Sequence, residues 1–418
     1  MPPSSRAELR PVDAGNLATL TAALAEALAG GPPLIPYAAA PLPLPPHDPA
    51  SVPRDLALVV GTSGSTGVAK LAMLTAGSLV ASADATHERL GGPGTWLLAL
   101  PAGHIAGLQV LIRSLRAGRA PVVLDRTSSF SPSAFAEAAA RVAAEPGPRY
   151  TALVPTQIGR LLATGEGVAA LRRFDAVLAG GAALSPALRA SATAAGVRVV
   201  ATYGMSETAG GCVYDGVPLR DTVVALADDG RIELSGPTLA SGYLGQPDAT
   251  AFTMRSGRRC FATDDLGEFA DDGRLRVLGR RDDVIITGGY KVHPRVVEDA
   301  AAGLPGVRAA VAVAVPDPEW GMAITLALVP APPAPPPLPG EPALPSETPP
   351  PGESALPSEP GGSFAWSDPA RVREALRGEL APYALPRTVL VLPALPERGP
   401  GKPDRAAIAA LARERAER

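Results

Sequence analysis

Seven consecutive Gly, Ser and Thr residues, Gly61 to Gly67, stand between an apolar run and Lys70. Such residues let backbone N–H groups and hydroxyls converge on phosphate oxygens, and glycine supplies the backbone freedom. VVGTSGSTGVAK therefore reads as a phosphate loop. It is not a P-loop, because Val68-Ala69-Lys70 follows Gly67 where Lys-Ser/Thr is required. The spacing also differs from the dinucleotide GxGxxG. Of 38 Lys and Arg residues only Lys70, Lys291 and Lys402 are lysine, and each stands in a glycine-rich stretch. A compact ammonium enters spaces between oxygens that a planar guanidinium does not fit. The three lysines are candidates for contact with anionic groups.

The elements that must position them form two textures. From Leu56 on, short apolar runs (LALVV, APVVLD, YTALVP, DAVLAGG, VRVVATYG) read as buried strands. Helical segments separate them: TAGSLVASADATHERL, with Thr75 as N-cap, SPSAFAEAAARVAAE and SPALRASATAAG. That alternation predicts an α/β domain with a mostly parallel sheet. After about residue 220 hairpins take over, with Asp-Gly between β-like arms in VVALADDGRIELSG and LGEFADDGRLRVLG. A smaller α+β region follows, with a helix near Pro294–Ala302, strands AAVAVAV and TVLVLP, and a helix over DPARVREALRGEL. Residues 31–53 are proline-rich and read as extended surface chain. Pro330 to Pro360 holds 14 prolines and a near-repeat, GEPALPSE and GESALPSE, and is expected to be a disordered or polyproline insertion.

Bulk properties narrow the class. At 418 residues and 46% hydrophobic, the chain has material for two or three domains and a large core. Its net charge of −3 offers no basic field, so nucleic acid is an unexpected partner. Two cysteines, Cys212 and Cys260, make neither a disulfide framework nor a zinc cage. No signal-peptide pattern and no long apolar span is read, so the expected compartment is the cytoplasm. Oligomeric state is not legible.

The phosphate loop resembles that of the adenylate-forming (ANL) superfamily of acyl-CoA synthetases, adenylation domains and luciferases. Further motifs resemble the superfamily's in order: AGGAAL (179–184), TYGMSET (202–208), TDDLG (263–267), GRRDDVIITGGYKVHP (279–294) and PERGPGKPDR (396–405). Asp264 replaces the glycine usual in the third. The resemblance implies a large N-terminal AMP-binding domain, residues 1–281, and a small mobile α+β domain, residues 282–418, with the proline-rich insertion at about 330–362. It implies ATP, Mg²⁺ and coenzyme A as cofactors or co-substrates. A carboxylate would attack the α-phosphate of ATP to give an acyl-adenylate and pyrophosphate, and a thiol would then displace AMP.

The roles implied by the resemblance are specific. Thr62, Ser63, Gly64, Ser65, Thr66, Gly67 and Lys70 would hold the β- and γ-phosphates. Gly180, Gly181, Ala182 and Tyr203 would flank adenine, with Gly204, Met205 and Ser206 beside the nucleotide. Asp265 would accept the ribose hydroxyls, and Arg280 would hold ribose or phosphate. Glu207 would bind Mg²⁺, for which one protein carboxylate suffices. Lys402 would bridge the substrate carboxylate and the α-phosphate. Asp282 would be the hinge, and Gly288, Gly289, Tyr290 and Lys291 would face coenzyme A. Asp271 and Asp272 read as turn residues.

Two stretches narrow the acid. LPAGHIAGLQVLIRS resembles the segment of CoA ligases in which a histidine, here His104, lines the acyl pocket and joins Lys402 and Glu207 as catalytic candidates. LVPTQIGRLL and GMSETAGGCVYDGVPL resemble o-succinylbenzoate–CoA ligases of menaquinone biosynthesis, with Thr156, Gln157, Gly210 and Gly211 shaping an aryl pocket. Cys212, beside that motif, reads as a small buried hydrophobe. The second carboxylate of such a substrate needs a polar anchor that the sequence does not identify. Only about sixty residues precede the loop, which implies an abbreviated N-terminal subdomain. Open alternatives are another aryl- or alkyl-carboxylate CoA ligase, an enzyme loading a separate carrier protein, and a non-catalytic nucleotide sensor.

Overall fold

The computed structural model describes residues 8–41, 43–62, 70–125, 130–247, 249–255, 257–331, 366–399 and 402–416. It divides into two compact units, Met1–Asp282 with Gly399–Lys402, and Asp283–Arg398 with Pro403–Arg418. The proline-rich insertion lies, for residues 332–365, outside the described residues.

The first unit is built on three sheets. The largest has seven strands, ordered Val217–Pro218, Gly210–Tyr214, Val199–Met205, Ala176–Ala179, Arg149–Leu153, Thr95–Leu98 and Val122–Val123. From Val199–Met205 onward all neighbours are parallel, whereas Gly210–Tyr214 turns back antiparallel. Successive side chains face opposite ways, so each strand feeds two cores, as parallel sheets require. Trp96 and Leu98 join Leu108 and Leu111 on one face. Leu97 joins Phe135, Leu153 and Ile158 on the other. Helices start where an N-cap hydroxyl satisfies an orphan N–H: Thr75, Ser131 and Ser185 each accept from the backbone N–H three residues on.

A second sheet runs Arg10–Asp13, Leu34–Tyr37, Leu56–Gly61, Leu71–Thr75 and Gly242–Tyr243. It corrects the sequence reading of residues 31–53 as surface chain throughout. Leu34 and Ile35 are buried, and Leu34 pairs with both Arg10 and Leu58. Proline is tolerated because Pro33 contributes only its carbonyl, which accepts from the Arg10 N–H at 2.9 Å. The third sheet holds the expected hairpins, Val223–Leu226 with Arg231–Ser235 and Arg258–Phe269 with Leu275–Arg280. Their turns place Gly230 and Gly273 in the left-handed region (φ 80° and 78°).

The second unit packs a sheet of Val307–Asp317, Gly321–Pro330 and Thr388–Val391 against the helix Pro294–Ala302. Trp366 fills its core and donates from Nε1 to the Pro305 carbonyl at 2.7 Å. The helix read over DPARVREALRGEL stops at Ala375.

One buried polar cluster belongs to the first unit. His87, near the end of the helix Ala76–Leu90, accepts at Nε2 from Trp96 Nε1 at 3.3 Å. Burial, then the positive charge of Arg113, pushes its pKa down to about 4; Asp84 opposes and Arg116 adds slightly.

Two predictions follow from the packing. Leu34 is fully buried, so Leu34→Ala should lower the unfolding free energy by about 2–4 kcal/mol in a denaturant titration; a value near zero would restore the surface reading. His87 binds its proton more weakly folded than unfolded, so stability should be full above pH 6.5 and fall as pH drops toward 4, by about 3 kcal/mol at most. His87→Gln should flatten that loss; an unchanged acid slope would contradict the assignment.

Candidate active site

The strands Leu56–Gly61 and Leu71–Thr75 are antiparallel neighbours. They carry the phosphate-loop segment, closed at its base by Thr62 N–H donating to the Lys70 carbonyl at 2.8 Å. Ser63, Gly64, Ser65, Thr66 and Gly67 lie outside the described residues. Lys70 is exposed, with its ammonium 5.1 Å from the centroid of the Tyr243 ring.

Ser206–Thr208 forms a single 3₁₀ turn between the strands Val199–Met205 and Gly210–Tyr214. The close approach of these strands requires glycine at 204, since a Cβ there would sit 2.2 Å from the Gly210 carbonyl oxygen. Ser206 Oγ donates to the Gly61 carbonyl at 3.2 Å, tying the turn to the loop base. Glu207 is 8% exposed. Its Oε1 accepts from the Tyr243 hydroxyl at 2.7 Å, and its carbonyl accepts from Ala240 N–H at 2.7 Å. Burial pushes the Glu207 pKa up; the Tyr243 hydrogen bond, the backbone, Lys70 and Arg280 pull it back.

Strand Val199–Met205 also carries Tyr203, whose hydroxyl donates to Asp265 Oδ2 at 2.9 Å. Burial, followed by the Asp265 charge, raises the Tyr203 pKa, so the phenol keeps its proton. Asp265 lies opposite Arg280 in the strand register. The Arg280 guanidinium is 3.3 Å from Asp264, 3.9 Å from Asp265 and 4.0 Å from Asp282. Asp264, the departure from the superfamily motif, is thus an ion-pair partner of Arg280. Lys402 groups with this unit. Lys402 is exposed as a residue, yet partial burial lowers its pKa, with Arg280 next in effect; Asp265 and Glu207 oppose. Arg280, Asp265 and Glu207 are therefore the charged groups that bear on Lys402.

Other candidates fall at the surrounding edges. Gly180, Gly181 and Ala182 follow the strand Ala176–Ala179, with Gly181 left-handed at φ 80°. Thr156 is exposed, while the Gln157 side chain is engaged with the Val154 N–H at 3.0 Å and the Ala99 carbonyl at 3.4 Å. His104 is exposed and immediately precedes the helix Ile105–Arg116. That helix meets the glycine pair, because a Cβ on Gly210 would lie 3.3 Å from Gln109 Cγ. Gly211, Met205 and Gly204 lie on the paired strands themselves. Cys212 is buried, and burial pushes its thiol up to about 12, as a small buried hydrophobe would behave. Asp271 and Asp272 are exposed turn residues.

Asp282 is exposed and ends the first unit. In the second unit, Gly288 and Gly289 form the two-residue turn between Ile285–Thr287 and Tyr290–Val292, both at positive φ. Tyr290 stacks on Tyr383 at 4.2 Å, and Lys291 is exposed. No group of three or more His, Cys, Asp or Glu able to hold a metal is found among the described residues.

Two residues escaped the sequence reading. Tyr243 contacts Glu207 and Lys70 as described. Arg113, on the helix that begins after His104, is 3% exposed. One of its amino groups donates to the Tyr214 hydroxyl at 3.3 Å, and its guanidinium lies 5.0 Å from the Trp96 ring centroid. Its Nε has no hydrogen-bond partner, and no carboxylate pairs with it among the described residues. Burial accordingly pulls its pKa down, opposed only by Tyr214. A helix position i+8 from Ile105 and i+4 from Gln109 repeats on one face; that periodicity was visible, but the burial was not.

Comparison with known proteins matches these features to one family. The profile of AMP-binding enzymes matches residues 10–244. A probable 2-succinylbenzoate–CoA ligase of Mycobacterium tuberculosis is 42% identical over 360 residues, 85% of this chain and 84% of that one. A feruloyl-CoA synthase of Amycolatopsis is 34% identical over 310 residues, covering 66% of this chain and 60% of that protein. Among solved structures, o-succinylbenzoate CoA synthetase (MenE) from Bacillus subtilis, in complex with its acyl-adenylate intermediate, is 25% identical with a TM-score of 0.65 over 84% of this chain and 68% of that one. ATP-bound MatB from Rhodopseudomonas palustris is 25% identical, with a TM-score of 0.67 over 86% and 69%. The chain belongs to the AMP-binding enzymes, the adenylate-forming superfamily whose motifs run through its sequence.

Proposed function

We propose that the protein is an ATP-dependent carboxylate–CoA ligase whose acid is o-succinylbenzoate. In the first half-reaction a carboxylate oxygen bonds to the α-phosphorus of ATP and pyrophosphate leaves. In the second the thiol of coenzyme A attacks the acyl carbon and AMP leaves. The physical difficulty lies in the first step, where an anion must approach a polyanion. Positioned cations lower that barrier more than they stabilise the separate reactants.

The chain's own groups suit each part. Lys70 and the loop that precedes it would take the β- and γ-phosphates. Asp265, which accepts from the Tyr203 hydroxyl, would take ribose hydroxyls, with Arg280 beside it. Lys402 would bring its ammonium between the acid and the α-phosphate. Glu207 fits a hard divalent cation: it is a buried carboxylate whose ionised form such a charge would favour. Without a multi-residue protein cage among the described residues, that cation would be shared with nucleotide phosphates. When bound, Mg²⁺ would supply charge neutralisation at the phosphates.

The choice of acid rests on the relatives named for 2-succinylbenzoate, and Arg113 is the residue we assign to its second carboxylate. A buried guanidinium without a carboxylate is costly. A second carboxylate on the substrate would offset that cost, and o-succinylbenzoate has one. Gly210, close to Gln109 and Ile105, and its neighbour Gly211 would border the aryl ring. The 34% identity to a feruloyl-CoA synthase keeps another aryl acid as the second reading.

Two sets of variants test this. Arg113→Met should raise KM for o-succinylbenzoate about tenfold to a hundredfold, the worth of a charged hydrogen bond, while altering turnover of aryl monocarboxylates little. Equal loss on both classes, in pyrophosphate release, would contradict the anchor. Lys402→Ala should slow adenylation about a hundredfold or more yet leave thioester formation from supplied acyl-adenylate largely intact; equal slowing of both halves would contradict its assigned step.

A further inference from the structure

Tyr243 lies on the two-residue strand Gly242–Tyr243, paired antiparallel with Met73 and Ala72 of the strand that follows Lys70. It is 4% exposed. Its ring is fixed by an edge-on contact with Phe252, centroids 5.5 Å apart. From that fixed ring the hydroxyl reaches Glu207 Oε1 at 2.7 Å, and the Lys70 ammonium sits 5.1 Å from the ring centroid. The same short segment holds the backbone around both charges. Ala240 N–H donates to the Glu207 carbonyl at 2.7 Å, and Ser241 N–H donates to the Met73 carbonyl at 2.8 Å. One side chain therefore touches the candidate metal carboxylate and the lysine at the phosphate-loop base, on opposite parts of a single rigid group.

We propose that Tyr243 is a positioning residue that presets Glu207 for the magnesium–nucleotide complex and steadies Lys70 toward the phosphates. The inference rests on the reading of Glu207 as the magnesium ligand. A phenol O–H holding one carboxylate oxygen fixes the rotamer and directs the other oxygen, as outer-shell donors do at metal sites, where their loss weakens metal affinity about tenfold to a hundredfold. The aromatic face adds a weaker, separable attraction for the ammonium.

The test uses the full chain and calorimetric ATP binding at a series of Mg²⁺ concentrations, with no turnover required. Tyr243→Phe keeps the ring and removes the donor. It should weaken the Mg²⁺-dependent part of ATP binding about tenfold, with Mg²⁺-free binding within about twofold of the parent. Tyr243→Leu should show the same deficit and also weaken Mg²⁺-free binding about twofold to fivefold. Glu207→Gln should remove the Mg²⁺-dependent part, and adding Tyr243→Phe to it should cost nothing more. Parental Mg²⁺ dependence in Tyr243→Phe, beside a loss in Glu207→Gln, overturns the role of Tyr243 alone. A further loss in the double variant shows that Tyr243 acts through packing and overturns it too. Undiminished Mg²⁺ dependence in Glu207→Gln overturns the metal reading, and this inference falls with it.

Discussion

Glu207 is a carboxylate taken almost wholly out of water, and the first unit is arranged around that constraint. An isolated buried charge would neutralise itself by binding a proton. Here a phenol donor, its own backbone and the fields of Lys70 and Arg280 oppose that outcome. Each of these comes from a different stretch of chain. The turn that holds Glu207 is anchored to the loop base through Ser206, and to the Ala240–Tyr243 segment through backbone and side chain. The sheet that pairs Leu71–Thr75 with Gly242–Tyr243 thereby holds the charges of the site in register.

A second electrostatic problem, on the helix Ile105–Arg116, is handled differently. Arg113 is buried with only a tyrosine hydroxyl and an aromatic ring as partners, and its charge helps keep His87 neutral. A structural arginine of this burial is ordinarily paired with a carboxylate. Under the proposed function an anionic substrate group would take the place of that carboxylate. The two charged groups would then divide the work, Glu207 on the side of the nucleotide and Arg113 on the side of the acid.

Much of the fold was legible because local physics and tertiary structure agree. Thr75 caps its helix, Asp-Gly pairs turn their hairpins, and continuous apolar runs form parallel strands. Leu34–Tyr37 was not legible, since prolines around it mask a strand that borrows only their carbonyls. The motif residues were nominated by their order along the chain. Tyr243 and Arg113 were not, because their significance depends on partners 36 and 101 residues away, Glu207 and Tyr214. Arginine is also common in this chain, so a single functional one carries no compositional signal, whereas the rare lysines do.

Mass detection of the reaction products is the sharpest check on the ligase assignment. The protein is mixed with o-succinylbenzoate, ATP and Mg²⁺, with and without coenzyme A. The account predicts pyrophosphate and an enzyme-held acyl-adenylate without coenzyme A, and AMP with o-succinylbenzoyl-CoA when it is added. Pyrophosphate without any CoA thioester, or no pyrophosphate with this acid while a monocarboxylate is turned over, would contradict it.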